Sequence, residues 1–396
     1  MFFFKSKITR RILTNPILYR RLTSLICPPP PSEPIVTVLD ATSSVGVNLA
    51  LLLKQNSHIK ELRLYDEDSD THPLAEDLND IDTRTKVVPF TCRCLREAIK
   101  GVHLVISTGG CQNKIGQTQR ELFDKNLDNV RNAAIFLAEF NPAAVYCIAK
   151  PPVEALVPMV SEEYKKAETY DPRKIIGVTT VASMVANTLI AYHLRRDPAD
   201  VHCPVIGGLS PKTTIPVISQ TKPTVEYNSV LTKQESVSVA GVVLLQKIYS
   251  KLQDAVANAE ETLLSKGAMF CFSKAVAISR FVNLVLKALK GDKKAVECAF
   301  VAQTGHIGDF LPYMTSIVKL GSHGVASTHM PKINEFEIAR LRAAMPHILE
   351  YVLLGQTFLH GDFSLPSKFK IKKSCDALLK EKVQECNLRA GIPCSN

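Results

Sequence analysis

The chain has no uninterrupted run of roughly 18 uncharged apolar residues, the length a membrane-spanning helix needs, so no membrane insertion is expected. Paired cysteine motifs are missing too: the 11 cysteines are scattered, and Cys92 and Cys94 have no second pair at the spacing of a zinc site. Reduced thiols are expected rather than a disulfide framework, and no metal site. Acids are absent from positions 1–27, which carry Lys5, Lys7, Arg10, Arg11, Arg20 and Arg21. This +6 and the +4 of the tail from Ser364 onward account for the whole net charge of +10. Residues 28–363 are therefore close to neutral and carry no electrostatic footprint for nucleic acid.

What is present suits a globular chain: 396 residues, 46% apolar and 22% charged, are enough for one large or two medium domains with buried cores. The acid-free leader, with its arginines set among apolar residues, reads as a mitochondrial transit segment followed by the stiff spacer CPPPPSEP. The mitochondrion, and within it the matrix, is the expected location. Short β-branched runs then alternate with longer amphipathic segments. IVTVLD (35–40), ELRLYD (61–66), LVISTGG (104–110) and AVYCIA (144–149) read as parallel strands, with helices near 47–56, 120–139 and 155–166. A second region has helices expected at 181–194, 233–264, 268–289 and 335–354 and a strand in AVECAFVAQ. The expected organisation is a leader and linker over 1–33, a Rossmann-type doubly wound parallel sheet over 34–179, an α+β substrate-type domain over 180–363, and a basic extension over 364–396.

Between the first strand and its helix lies DATSSVG (40–46), where a dinucleotide phosphate usually meets glycines. Here an acid opens the turn, and only Gly46 is a glycine. Asp40 would place a carboxylate where a helix N-terminus otherwise attracts an anion, or it would cap that helix itself. Asp66, ending the second strand, stands where an acid would hold ribose hydroxyls, although the YDEDSD run could equally face water.

The stretches GVTT (177–180), PVIGG (204–208), KTTIPVISQ (212–220) and the LLLK after the turn carry a resemblance to the mitochondrial type of malate dehydrogenase, collinear over about 34–360. That resemblance implies an NAD-dependent, usually homodimeric oxidoreductase interconverting malate and oxaloacetate. It also implies a Gly-x-x-Gly-x-x-Gly turn, for which this chain has Asp40, Ser43 and Gly46. A proton-transfer histidine and its aspartate partner fall on Leu209 and Ala182. Three substrate arginines fall on Asn113, Gln119 and Val185, with Arg120 one residue beyond the second. Two asparagines fall on Pro151 and Glu154, whereas Asn126 keeps its place.

Leucine exchanges no proton, and neutral side chains cannot fork onto carboxylates. The expectation is therefore a non-catalytic malate dehydrogenase-like protein, a pseudoenzyme without catalytic residues or cofactor, kept as a structural or protein-binding subunit. It would form a homodimer and a larger protein assembly, with Gly46, Asp66 and Asn126 as vestiges of a cofactor site. The alternative is an NAD-dependent malate dehydrogenase or related 2-hydroxy acid oxidoreductase with altered or residual activity. Cys111, Cys147 and Cys203 are expected to be ordinary thiols.

Overall fold

The β-branched runs lie side by side in one sheet whose helices cover both faces. The structure is a computed structural model that describes residues 33–358, apart from 92, 111–112, 115, 224–249 and 305–306. The leader, the basic tail, Cys111 and the first part of the helix expected at 233–264 lie outside the described residues.

The first domain contains β1 (Ile35–Leu39), α1 (Ser44–Lys54), β2 (Glu61–Tyr65), α2 (His72–Asn79), β3 (Lys86–Phe90), α3 (Leu95–Ile99), β4 (Leu104–Ser107), α4 (Gln119–Phe140), β5 (Val145–Ile148), α5 (Val153–Lys166) and β6 (Ile175–Val178). The second contains α6 (Thr180–Leu194), β7 (Val205–Gly207), β8 (Thr214–Pro216), α7 (Ala259–Ser265), α8 (Cys271–Leu289), β9 (Val296–Ala302), β10 (Tyr313–Gly321), β11 (Gly324–His329) and α9 (Glu335–Thr357). The expected helix at 233–264 is interrupted by a turn at Asn258, before α7.

Strand order is β3-β2-β1-β4-β5-β6-β9-β10-β7-β8, with β11 on β10. From β3 to β6 all pairings are parallel, and β9 then joins β6 antiparallel, so the sheet continues into the second domain. Alternation along the strands decides which helix covers which face. Val36, Val38, Leu104, Ile106, Val145 and Cys147 pack with α1 and α8 on one face. Leu39, Val105, Tyr146 and Ile148 pack with α4, α5 and α9 on the other.

The helices are apolar on the faces they bury. In α1, Val45, Leu49, Ala50 and Leu53 form one stripe, which meets Phe281, Val282 and Val285 of α8. Both Leu49 and Leu53 are fully buried. Cutting either to alanine would cost about 2–5 kcal/mol. Two long helices begin with reciprocal caps, Thr118 with Glu121 on α4 and Asn334 with Glu337 on α9. Strands of a parallel sheet end together, and these caps help fix the helices that frame those ends.

Candidate active site and cofactor crevice

The strand order reverses between β1 and β4, the place where an open α/β sheet leaves a crevice at its carboxyl edge. Register pairs Leu39 with Tyr65 and Ser107, and Ser107 with Ile148. Asp40, Asp66, Thr108 and Ala149 consequently leave their strands at one level. Asp40 adopts a φ of 54°, the left-handed conformation that glycine takes most easily. It does not cap α1. Ser43 does, its Oγ accepting from Gly46 N–H at 3.0 Å and donating to the Asp40 carbonyl at 2.7 Å. The Asp40 carboxylate instead meets Lys150 Nζ at 2.7 Å and accepts from Asn129 Nδ2 at 3.2 Å. The charge expected to repel a phosphate is thus neutralised by a lysine, 1% exposed, just beyond β5.

Gly46 is required for packing: a Cβ there would lie 2.7 Å from the Ala41 carbonyl oxygen and closer still to that of Asp40. Asp66 is buried, while Glu67, Asp68 and Asp70 of the same run face solvent. Its Oδ2 accepts from the Thr42 hydroxyl at 2.6 Å and amide at 3.1 Å, and its Oδ1 from Asp68 N–H at 3.1 Å. Asn126, buried on α4, donates to the Pro151 carbonyl at 2.6 Å. The edge therefore brings Gly46, Asp66 and Asn126 around one crevice.

This edge is closely packed by protein side chains, and one buried hydroxyl on it suits a ligand acceptor. Its floor at the end of β4 is glycine, with Gly109 and Gly110 at φ of 70° and 69°. A Cβ on Gly109 would stand 2.6 Å from Ser43 Cβ, and one on Gly110 would stand 2.8 Å from Lys150 Cε. Beside them, the hydroxyl of Thr108 is buried with no hydrogen-bond partner, a costly state that a ligand acceptor would relieve.

A cleft opens farther along the carboxyl edge, between the two domains. Asn113, Gln119, Glu154, Leu209, Ser210, Glu260 and Lys274 are among its lining residues. Leu209 and Ala182 belong to one apolar cluster that also holds Ala186, Ile190 and Val205. Val185 does not line the cleft. Arg120 and Lys212 line a neighbouring cleft, which shares Gln119 and Ser210 with the first.

Three charged groups line the main cleft: Glu154, Lys274 and Glu260. Glu154, on the first turn of α5 and 2% exposed, accepts through Oε1 from Leu209 N–H at 2.9 Å, Ser210 N–H at 3.1 Å and the Thr213 hydroxyl at 2.5 Å. Lys274, on α8, pairs with Glu260 of α7 at 2.6 Å. Glu154 stands where the resemblance has an asparagine, and only the fold brings its carboxylate into the pocket. Lys274 carries no motif, since only the packing of α8 brings it there. Burial raises the thiol of Cys147 above its ordinary value and pushes that of Cys203 up to about 12, which keeps both protonated and unreactive.

Residues 35–177 match the model of the lactate/malate dehydrogenase NAD binding domain, and residues 179–358 match that of the lactate/malate dehydrogenase alpha/beta C-terminal domain. The chain is 34% identical over 327 residues to the glyoxysomal malate dehydrogenase of Oryza sativa subsp. japonica, covering 82% of this chain and 87% of that protein. It is likewise 34% identical over 326 residues to the mitochondrial malate dehydrogenase of Felis catus, covering 82% and 91%. In fold it is similar to the apo malate dehydrogenase of Picrophilus torridus, with a TM-score of 0.67, 17% identity and coverage of 83% and 99%. It is also similar to the lactate dehydrogenase of Cryptosporidium parvum complexed with lactic acid and nicotinamide adenine dinucleotide, with a TM-score of 0.66, 19% identity and coverage of 82% and 98%.

These findings overturn the expectation of a cofactor-free, non-catalytic structural subunit and favour its alternative, an oxidoreductase that uses NAD. That expectation treated Leu209, Ala182, Asn113, Gln119 and Val185 as a site given up. It counted the charge of Asp40 without its partner Lys150 and left Glu154 and Lys274 out of the pocket. A match through both domains, over chains called dehydrogenases, outweighs inference from single positions. The chain belongs to the lactate/malate dehydrogenase family, with the NAD-binding domain of that family at its N-terminal side and the family's alpha/beta domain following it.

Proposed function

We propose that this chain is an NAD-dependent oxidoreductase that interconverts a 2-hydroxy acid and its 2-oxo acid, with a substrate preference altered from malate. The observation that carries the proposal is the cleft between the two family domains, which holds two carboxylates, Glu154 and Glu260, the ammonium of Lys274 and two side-chain amides. NAD, when bound, accepts or returns the hydride. Asp66 and Gly46 serve the adenosine side of the crevice, and Asn126 holds the Pro151 turn between crevice and cleft.

Leu209 has no proton to exchange, so Glu154 takes that role. Its Oε1 is fixed by Leu209, Ser210 and Thr213. Lys274 meets the substrate carboxylate after leaving Glu260, and Asn113 and Gln119 hydrogen-bond to an uncharged substituent. With one ammonium against the carboxylates of Glu154 and Glu260, the cleft favours a monocarboxylate over a dicarboxylate. NADH oxidation followed across a panel of 2-oxo acids tests this. A higher kcat/KM for monocarboxylates with polar neutral side chains than for oxaloacetate is expected. Absence of turnover with every member would refute the proposal.

The working unit is a homodimer. Val47 and Leu51 on α1 and Phe272 and Val276 on α8 remain exposed, each pair one turn apart on two helices already packed together. The acid-free leader supports a mitochondrial matrix location, which import of the full chain into isolated mitochondria checks.

A further inference from the structure

Lys150 and Asp40 close a charged bridge over the point where the sheet reverses. Asp40 leaves β1, Lys150 follows β5, and the glycines after β4 lie beneath them, with Lys150 Cε 2.8 Å from where a Cβ of Gly110 would stand. The ammonium is 1% exposed and the carboxylate 14%, at 2.7 Å. Asp40 also accepts from Asn129 Nδ2 on Oδ1, and from Ser43 Oγ and Ser43 N–H on its carbonyl. Burying an ammonium removes its hydration, and an anion held beside it offsets that cost. The crevice that it spans is where a dinucleotide crosses the edge of such a sheet.

We propose that Asp40 and Lys150 form a latch, and that Lys150 becomes the cation for the cofactor pyrophosphate when the latch opens. The proposal rests on the NAD-dependent reading above. In the latched state Asp40 acts as a stand-in anion for Lys150. A pyrophosphate entering the crevice offers a stronger anion at the same place, and the lysine exchanges one for the other while Asn129 keeps a hold on the released carboxylate. The two residues then make opposite contributions to binding. Removing Asp40 leaves a buried ammonium without a partner, which a phosphate satisfies. Removing Lys150 leaves a bare carboxylate facing the phosphates.

The test is equilibrium binding of NADH, by fluorescence titration, and of ADP-ribose and adenosine, by calorimetry, with no turnover involved. The proteins are the full chain and its Asp40→Gly, Lys150→Ala and doubly substituted forms. Glycine suits the left-handed backbone at position 40, and Asp40→Asn is the second variant that removes the charge with little change of shape. The expected result is binding of NADH and ADP-ribose at least tenfold tighter in Asp40→Gly and Asp40→Asn than in the unaltered chain. Lys150→Ala should bind at least tenfold more weakly, and the double variant should fall between the two extremes. Adenosine, which has no phosphate, should bind all forms alike.

Tighter binding in Lys150→Ala would show that the lysine only blocks the crevice and would overturn its role as a phosphate ligand. Equal ADP-ribose affinity in all forms would overturn the latch while leaving NAD dependence intact. No saturable NADH binding by any form would overturn both.

Discussion

Replacing Glu154 separates what this side chain does for folding from what it does for chemistry. Its Oε1 takes three donors, but they are not equally dependent on it. Ser210 N–H also reaches Thr213 Oγ1 at 3.1 Å, and the Thr213 hydroxyl also reaches the Ser210 carbonyl at 3.2 Å. Only Leu209 N–H is left without another acceptor. Glu154→Ala therefore orphans one amide, at about 1–3 kcal/mol, and weakens two bonds that re-form within the turn. With the space vacated by the side chain, the loss is about 2–4 kcal/mol, a fall in Tm of roughly 4–8 °C at about 2 °C per kcal/mol. Glu154→Gln keeps a carbonyl oxygen for Leu209 N–H and costs about 1 kcal/mol. A glutamine cannot exchange a proton, however, so kcat should fall about 10²- to 10⁴-fold while KM stays nearly unchanged. Differential scanning fluorimetry and steady-state NADH oxidation read the two effects. A Glu154→Gln protein with kcat within threefold of the unaltered chain would refute Glu154 as the proton-transfer group.

Two further outcomes follow from particular residues. His103 Nδ1 accepts from Ile35 N–H at 3.1 Å, and burial holds the imidazole below its ordinary value. The unfolded chain takes up that proton near pH 6.5, the native state only at lower pH, so the stabilisation is complete above about 6.5 and is lost as pH falls. Urea unfolding should show stability falling as pH drops below about 6.5, and His103→Asn should flatten that slope. An unchanged slope would remove His103 from the account. At the exposed face, Leu51→Glu with Val276→Glu should shift the protein from dimer to monomer in sedimentation velocity, since two charges buried against their copies have no partner. A dimer that persists would place the interface elsewhere.

Local pattern made much of the fold legible. Strands β1, β2, β4 and β5 were found within one to three residues of their ends, because four short β-branched runs stood between amphipathic segments. Helices α1, α4, α5, α6, α8 and α9 were visible from their apolar stripes. Strand β3 was missed, since KVVPF carries a charge and a proline and lies at the sheet edge, where proline is tolerated. Strand β6 is not legible in sequence because the glycine in IIGV interrupts its β-branched run, and the β10–β11 hairpin because its polar residues break the alternation.

By itself, the sequence determined the doubly wound architecture, the family and the residues that occupy its motif positions. All of these are written in short-range periodicity or in runs of adjacent residues. Tertiary structure alone decided where the charges meet. Asp40 and Lys150 are far apart along the chain and touch only because β1 and β5 flank β4 in register. Lys274 enters the cleft because α8 packs beside α6 and α1, and Glu154 reaches the turn after β7 because α5 starts beneath it. A charge acts through its nearest opposite partner and its distance from water, and neither quantity is a property of sequence order.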